Sequence, residues 1–248
     1  MCISPLPVPG GLGGVQQDRT AGLETTSPVR LWHVDLRAEP LPEGLATLDD
    51  DERSRLHRLR FEPDRRRFAQ AHIALRRVLA DALGLAPAAV RWRLGPHGKP
   101  RLDSDTLAFN LTHDDDSALI VVGPASHEWG VDLESVRSMP DADDVARRVF
   151  TLDEQAQLRA TAPESRARAF AILWTRKEAV LKALGTGLSL EPASFDVGLD
   201  TPAVAPGLVR SVSPGATGRG VDVNWIDLDV GPDRAAALAW TAALPALA

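Results

Sequence analysis

Lysine is almost absent from this chain: among 248 residues it stands only at positions 99, 177 and 182, although lysine and arginine together number 28. Arginine replaces lysine wherever a solvated positive charge is enough. A position that keeps lysine is therefore expected to need a compact ammonium and its transferable proton. Cysteine is scarcer still. The single Cys2 has no partner in the chain, which excludes a disulfide-stapled fold and fits a reducing compartment. No run approaches the ~18 apolar residues of a membrane span. The first residues also lack a basic start and a continuous apolar segment, so no secretory signal is evident and a cytoplasmic protein is expected. Positive charge is not in excess. A net charge of -6 and a pI near 5.5 exclude a global attraction to nucleic acid or to anionic membrane, and any phosphate-binding surface must be local.

What is present suits a globular protein, since 44% hydrophobic residues are enough for one large core or two modest ones. Residues 1–28 carry Pro5, Pro7, Pro9, Gly10, Gly11, Gly13 and Gly14 without an apolar period, and are expected to be a disordered leader. Residues 29–36 read as a strand. Two helices follow over 49–59 and 64–83, the second closed by Gly84. A short strand over 90–94 leads into the turn Gly95-Pro96-His97-Gly98-Lys99-Pro100, and strands are expected over 107–113 and 118–122. A further strand covers 128–134. The helical region 141–162 is broken at Thr151, whose hydroxyl can cap the next helix. The longest helical pattern, 166–184, ends at Gly185 and Gly187. Strands are expected over 195–199, 207–212, 221–228 and 235–242, the last two as a hairpin. Helix-rich segments followed by strand runs recur in both halves, so the fold class is α+β with a plausible internal duplication and a cleft between the halves.

Three stretches carry chemistry. In the helix over 166–184, Trp174, Glu178 and Lys182 recur every four residues and share one face. In the strand over 128–134 the period is two, so Asp132 and Glu134 share one face while Val131 and Leu133 take the other. Two neighbouring carboxylates repel each other unless they face water or a cation neutralises them, and hard oxygen ligands at this spacing suit Mg²⁺. The third stretch is the arginine cluster at 53, 55, 58, 60, 65, 66, 67, 76 and 77, either a solvated helical face or a local anion site. Thr112 and His113 close a strand where phosphate could be held, and Asp114-Asp115-Asp116 reads as a solvated hairpin tip rather than a metal cage.

Taken together, Gly98-Lys99-Pro100, Asn110-Leu111-Thr112-His113, Gly130-Val131-Asp132-Leu133-Glu134 and Trp174-Thr175-Arg176-Lys177-Glu178-Ala179-Val180-Leu181-Lys182-Ala183-Leu184-Gly185 resemble, in order and spacing, the phosphopantetheinyl transferases of the surfactin-synthetase type. The resemblance covers roughly residues 29–242. It implies a monomer of two similar α+β subdomains, 29–127 and 128–248, related by a pseudo-twofold with the active site in the cleft between them. It also implies transfer of the 4′-phosphopantetheine arm of coenzyme A to a serine of an acyl- or peptidyl-carrier protein, with release of 3′,5′-ADP. By that resemblance Asp132, Glu134 and Glu178 are metal ligands for Mg²⁺, with Mn²⁺ as a possible substitute. Glu178, the third carboxylate of the set, serves as ligand, as the base that activates the carrier serine, or as both, and Lys182 contacts the transferring phosphate. Lys99, Thr112, His113, Arg67 and Arg76 match positions that hold the coenzyme, Arg55 and Arg58 assist, and Glu154 falls where some members carry a supporting acid.

The sequence departs from the family pattern at Thr112, where a serine is usual, and at Asp114, an acid beside expected phosphates that must face away or bind through water or metal. Two other functions use the same residues. A Mg²⁺-dependent nucleotide pyrophosphate hydrolase would turn the acids on water and consume the nucleotide without a carrier. A non-catalytic carrier-binding module would not need Asp132, Glu134, Glu178 and Lys182 together.

Overall fold

The computed structural model describes residues 2–8, 29–103, 105–200, 206–212 and 220–241. Its first half contains β1 (Cys2–Leu6), β2 (Arg30–Asp35), α1 (Pro42–Leu45), α2 (Asp50–Arg58), α3 (Glu62–Leu83), β3 (Trp92–Leu94), β4 (Pro100–Leu102), β5 (Leu107–Asp114) and β6 (Ser117–Pro124). An antiparallel sheet runs in the order β1-β2-β6-β5, and β3-β4 form a separate small hairpin. The expected disordered leader is corrected at its start. Cys2–Leu6 pairs with β2 from Cys2↔Asp35 to Leu6↔Leu31, and edge position explains why Pro5 is tolerated there. Residues 9–28 of that expected leader lie outside the described residues.

Local chemistry sets the helix ends. Asp49 and Glu52 form a reciprocal capping box at the start of α2, with both bonds at 2.9 Å. Gly84 stops α3 with φ 67. Ala71, Ala74, Leu75, Val78 and Leu79 of α3 then pack on Val34, Phe109, Ile120 and Val122 of the sheet.

The second half contains β7 (Trp129–Ser135), α4 (Ala142–Val149), α5 (Leu152–Ala160), α6 (Arg166–Leu184), β8 (Gly207–Val212), β9 (Val221–Asp227) and β10 (Arg234–Thr241), with the sheet order β7-β10-β9-β8. Thr151 caps α5, as its position suggested, in a box completed by Glu154. The strand expected over 195–199 is absent. Its peptide groups are taken by side chains instead: Phe195 O accepts from Lys177, Val197 O and Gly198 O accept from Arg176, and Val197 N donates to Glu154.

Alternation along the strands builds the layers. Leu31, Leu119 and Val121 of the first sheet meet Val131, Leu133, Leu238 and Trp240 of the second in one shared core. The opposite faces carry α3 and α6 respectively. The fold class is α+β, as expected from the sequence. Edge strands β5 and β7 meet side by side without a backbone ladder. Instead, Asn110 Oδ1 accepts from Val131 N at 2.9 Å and Asp114 Oδ2 accepts from Ser135 N at 2.7 Å. Residues 110, 112 and 114 of β5 thus face β7, and His113 faces the α3 side.

Candidate active site

Helix α6 lies directly on β7 because residue 130 is glycine. A Cβ there would overlap the carbonyl oxygen of Ala179 and the amide nitrogen of Ala183. This contact brings the Trp174-Glu178-Lys182 face of α6 over the Asp132-Glu134 face of β7. The two elements match in opposite directions. Trp174 Nε1 donates to Glu134 Oε1 at 3.2 Å, and Lys182 Nζ sits 2.5 Å from Asp132 Oδ1. Eight helical residues span about 12 Å and two strand residues about 7 Å. The long side chains of Trp174 and Lys182 close that difference, with Glu178 between them. Thr112 joins from β5: its hydroxyl accepts from Lys182 at 3.0 Å and donates to Asp132 Oδ1 at 3.2 Å. The other oxygen of Asp132, Oδ2, is buried without a hydrogen-bond partner.

The carboxylates hold their protons more tightly than usual. Burial, then the charges of Asp132 and Asp114, push Glu134 up to about 7, against the Trp174 hydrogen bond. Burial also raises Asp132, resisted by Lys182 and Thr112, and raises Glu178, helped by Asp132. One buried and two half-buried carboxylates face one another with a single ammonium, Lys182, among them. The donor set, three carboxylates with one oxygen orphaned, fits a hard divalent cation. Among the described residues no three His, Cys, Asp or Glu side chains stand close enough to cage an ion alone, so water and substrate oxygens must complete its shell.

A pH prediction follows. Folded Glu134 binds a proton that the unfolded chain releases near the ordinary 4.5, so the folded state holds more protons between about 4.5 and 7. Stability without divalent ions is therefore expected to fall as pH rises through that window. Thermal melts at pH 5 and pH 8 check it: Glu134→Gln should flatten the fall and Mg²⁺ should relieve it. An equally steep fall in Glu134→Gln would contradict the assignment.

Other expected ligands are placed differently. His113 stands on the α3 side with its edge open to solvent, and partial desolvation, then the nearby charges of His72, Lys182 and Arg55, lower its pKa. That shift favours the neutral imidazole, which can donate one hydrogen bond to a phosphate; Arg55 of α2 is the guanidinium near it, while His72 of α3 is bonded to Glu52 at 2.6 Å. Arg67 is within reach of solvent but pairs with Asp116 at 3.0 Å and Asp64 at 3.6 Å. Arg76 is corrected from coenzyme ligand to internal strut. It is wholly buried, bonds Glu52 and Asp49 at 2.6 Å each, donates to Pro87 O and Val90 O, and stacks on Trp92. Arg76→Met should cost about 3 kcal/mol of stability by stranding buried acids. Denaturant unfolding checks this, and a loss below about 1 kcal/mol would contradict it.

Lys99 is likewise committed, donating to Glu128 Oε2, Trp129 O and Ala183 O, which uses all three of its N–H groups. Glu154 belongs to a fully buried pair with Lys177 at 2.7 Å, not to the cleft. Asp114 resolves its own awkward position by turning to Ser135 and by pairing with Arg137 and Arg234. The hairpin tip is not merely solvated, because Asp116 binds Arg66 and Arg67. Sequence reasoning missed that His72, four residues before Arg76, shares Glu52 with it. The spacing of Trp174 to Glu178 put it on the right face, but did not give its hydrogen bond to Glu134.

Comparison with known proteins agrees with this geometry. The sequence model of the 4′-phosphopantetheinyl transferase superfamily matches residues 128–208, which include β7 and α6. The chain is 36% identical over 167 residues to the 4′-phosphopantetheinyl transferase HetI of Nostoc sp., covering 65% of this chain and 70% of that one. It is 31% identical over 156 residues to a 4′-phosphopantetheinyl transferase of Bacillus subtilis, covering 62% and 68%. It is 34% identical over 166 residues to a phosphopantetheinyl transferase of Thraustochytrium sp., covering 60% and 57%. With its acids gathered on β7 and α6 inside the matched region, the chain belongs to the 4′-phosphopantetheinyl transferase family.

Proposed function

We propose that the junction of β5, β7 and α6 binds coenzyme A with a Mg²⁺ ion and transfers the 4′-phosphopantetheine arm to a serine of an acyl- or peptidyl-carrier protein. In this reading the subdomains that meet there are the expected 29–127, extended by β1 (Cys2–Leu6), and 128–248. The observation that carries the reading is the buried, unpartnered Oδ2 of Asp132 among three carboxylates of raised pKa. Asp132, Glu134 and Glu178 would hold the ion, which supplies positive charge to the pyrophosphate. Lys182 adds an ammonium beside it, where negative charge develops on the leaving oxygen. His113, as a hydrogen-bond donor, and Arg55, as a cation, receive phosphates.

In the reaction the serine oxygen forms a bond to the β-phosphorus of the coenzyme. The bond from that phosphorus to the bridging oxygen breaks, and 3′,5′-ADP leaves. The serine proton needs an acceptor. Glu178 is suited: its raised pKa makes it a better base than an ordinary carboxylate, and no protein donor engages it among the described residues. Nothing favours a hydrolase or a non-catalytic module. Among the described residues no helix is long and apolar enough to cross a membrane.

Coenzyme A labelled in the pantetheine arm, incubated with Mg²⁺ and apo carrier proteins from fatty-acid, polyketide and nonribosomal-peptide systems, tests the reading. Label should move to carrier and stay in the coenzyme when carrier is withheld. Consumption of coenzyme without carrier, or no labelling of any carrier, overturns it.

A further inference from the structure

The two acids of β7 are held in different ways. Asp132 is gripped by a cation, Lys182, and by the Thr112 hydroxyl, both on Oδ1. Glu134 is gripped by a neutral donor, the indole N–H of Trp174, on Oε1 at 3.2 Å. Among the described residues its Oε2 has no protein donor. A neutral donor orients a carboxylate without cancelling its charge, whereas an ammonium competes with any incoming cation. Trp174 is also only partly buried, so its ring alone does not account for a tryptophan here. A leucine or phenylalanine would cover the neighbouring core as well. The opposed pairing of Trp174 with Glu134 and Lys182 with Asp132 places the indole at one end of the acid row and the ammonium at the other.

We propose that Trp174 is a positioning residue for the divalent-cation site: its N–H pins one oxygen of Glu134 so that the other is presented to the ion. The inference rests on the proposed function's reading of the acids as ion ligands. Outer partners that fix a ligand typically change metal affinity 10–100-fold.

Mn²⁺ affinity, measured by electron paramagnetic resonance on the full chain with saturating coenzyme A and no carrier, reads the effect without turnover. Trp174→Phe, which keeps a ring and loses the N–H, should weaken Mn²⁺ binding about 10-fold or more. Trp174→Gln, which gives up the ring but keeps an N–H, should bind Mn²⁺ more tightly than Trp174→Phe even where its melting temperature is lower. In a Glu134→Gln background, Trp174→Phe should have no further effect. A packing role predicts the reverse order of the two variants, and Mn²⁺ affinity of Trp174→Phe within twofold of the parent overturns the proposal. If instead Glu134→Gln itself binds Mn²⁺ normally, or the parent binds none, the reading of the acids as ligands fails first. That result is distinct from loss in Glu134→Gln with none in Trp174→Phe, which refutes only the role of the indole.

Discussion

Asp132→Ala is expected to lower transfer of the phosphopantetheine arm by on the order of 10³-fold while leaving the fold intact. The two halves of that expectation come from the same atoms. Asp132 is 3% exposed, its Oδ2 has no partner, and its burial raises its pKa, so the folded chain holds this carboxylate at a cost. Removing it relieves that cost and the repulsion it exerts on Glu134 and Glu178. Lys182 loses its partner, yet its side chain is 29% exposed and water can take over. Melting without divalent ions should therefore hold or rise, and the rise that Mg²⁺ gives the parent should vanish. Asp132→Asn, which keeps the volume and sets an amide against the cation, should be as inactive. Labelling of carrier by either variant within tenfold of the parent would remove Asp132 from the site.

The elements that carry the site were legible because each has a strict period. Alternation over β7 separates Asp132 and Glu134 from Val131 and Leu133, which lie in the core between the sheets. The four-residue spacing of α6 aligns Trp174, Glu178 and Lys182, and the structure places two of these three on the β7 acids. Charges whose partners come from distant segments were not legible. Arg76 looks like an anion ligand in a row of arginines, and only the fold shows Asp49, Glu52, Pro87 and Val90 closing around it. The rare lysines show the same limit. Lys182 stands in the site, but Lys177 donates to the carbonyls of Pro192 and Phe195 beside Glu154, and Lys99 to those of Trp129 and Ala183 beside Glu128. A tetrahedral ammonium fits such carbonyl pockets where a planar guanidinium does not. Lysine was kept for geometry at two positions, which its scarcity alone could not distinguish from chemistry. The strand at Cys2–Leu6 escaped because prolines hide an edge strand, where a missing N–H costs nothing.

Gly130→Ala is expected to be the most damaging glycine-to-alanine change among the described residues, lowering stability by about 4 kcal/mol or more and the melting temperature by roughly 10 °C. The added carbon would overlap backbone atoms of Ala179 and Ala183, and backbone in the middle of a helix cannot rotate aside as a side-chain tip can. Relief requires α6 to lift from β7. That movement would strip Val180 and Leu181 from the core and draw Lys182 away from Asp132 and Trp174 from Glu134. Transfer should therefore fall in whatever fraction remains folded, and Mg²⁺ should restore less melting temperature than in the parent. Gly95→Ala is the control, since a Cβ there comes no closer than 3.4 Å to another atom, at the Lys99 carbonyl, and its backbone is not in the left-handed region. It should melt within a few degrees of the parent. If Gly130→Ala did so too, with transfer unchanged, the close seating of α6 on β7 would not be what aligns the two rows of side chains.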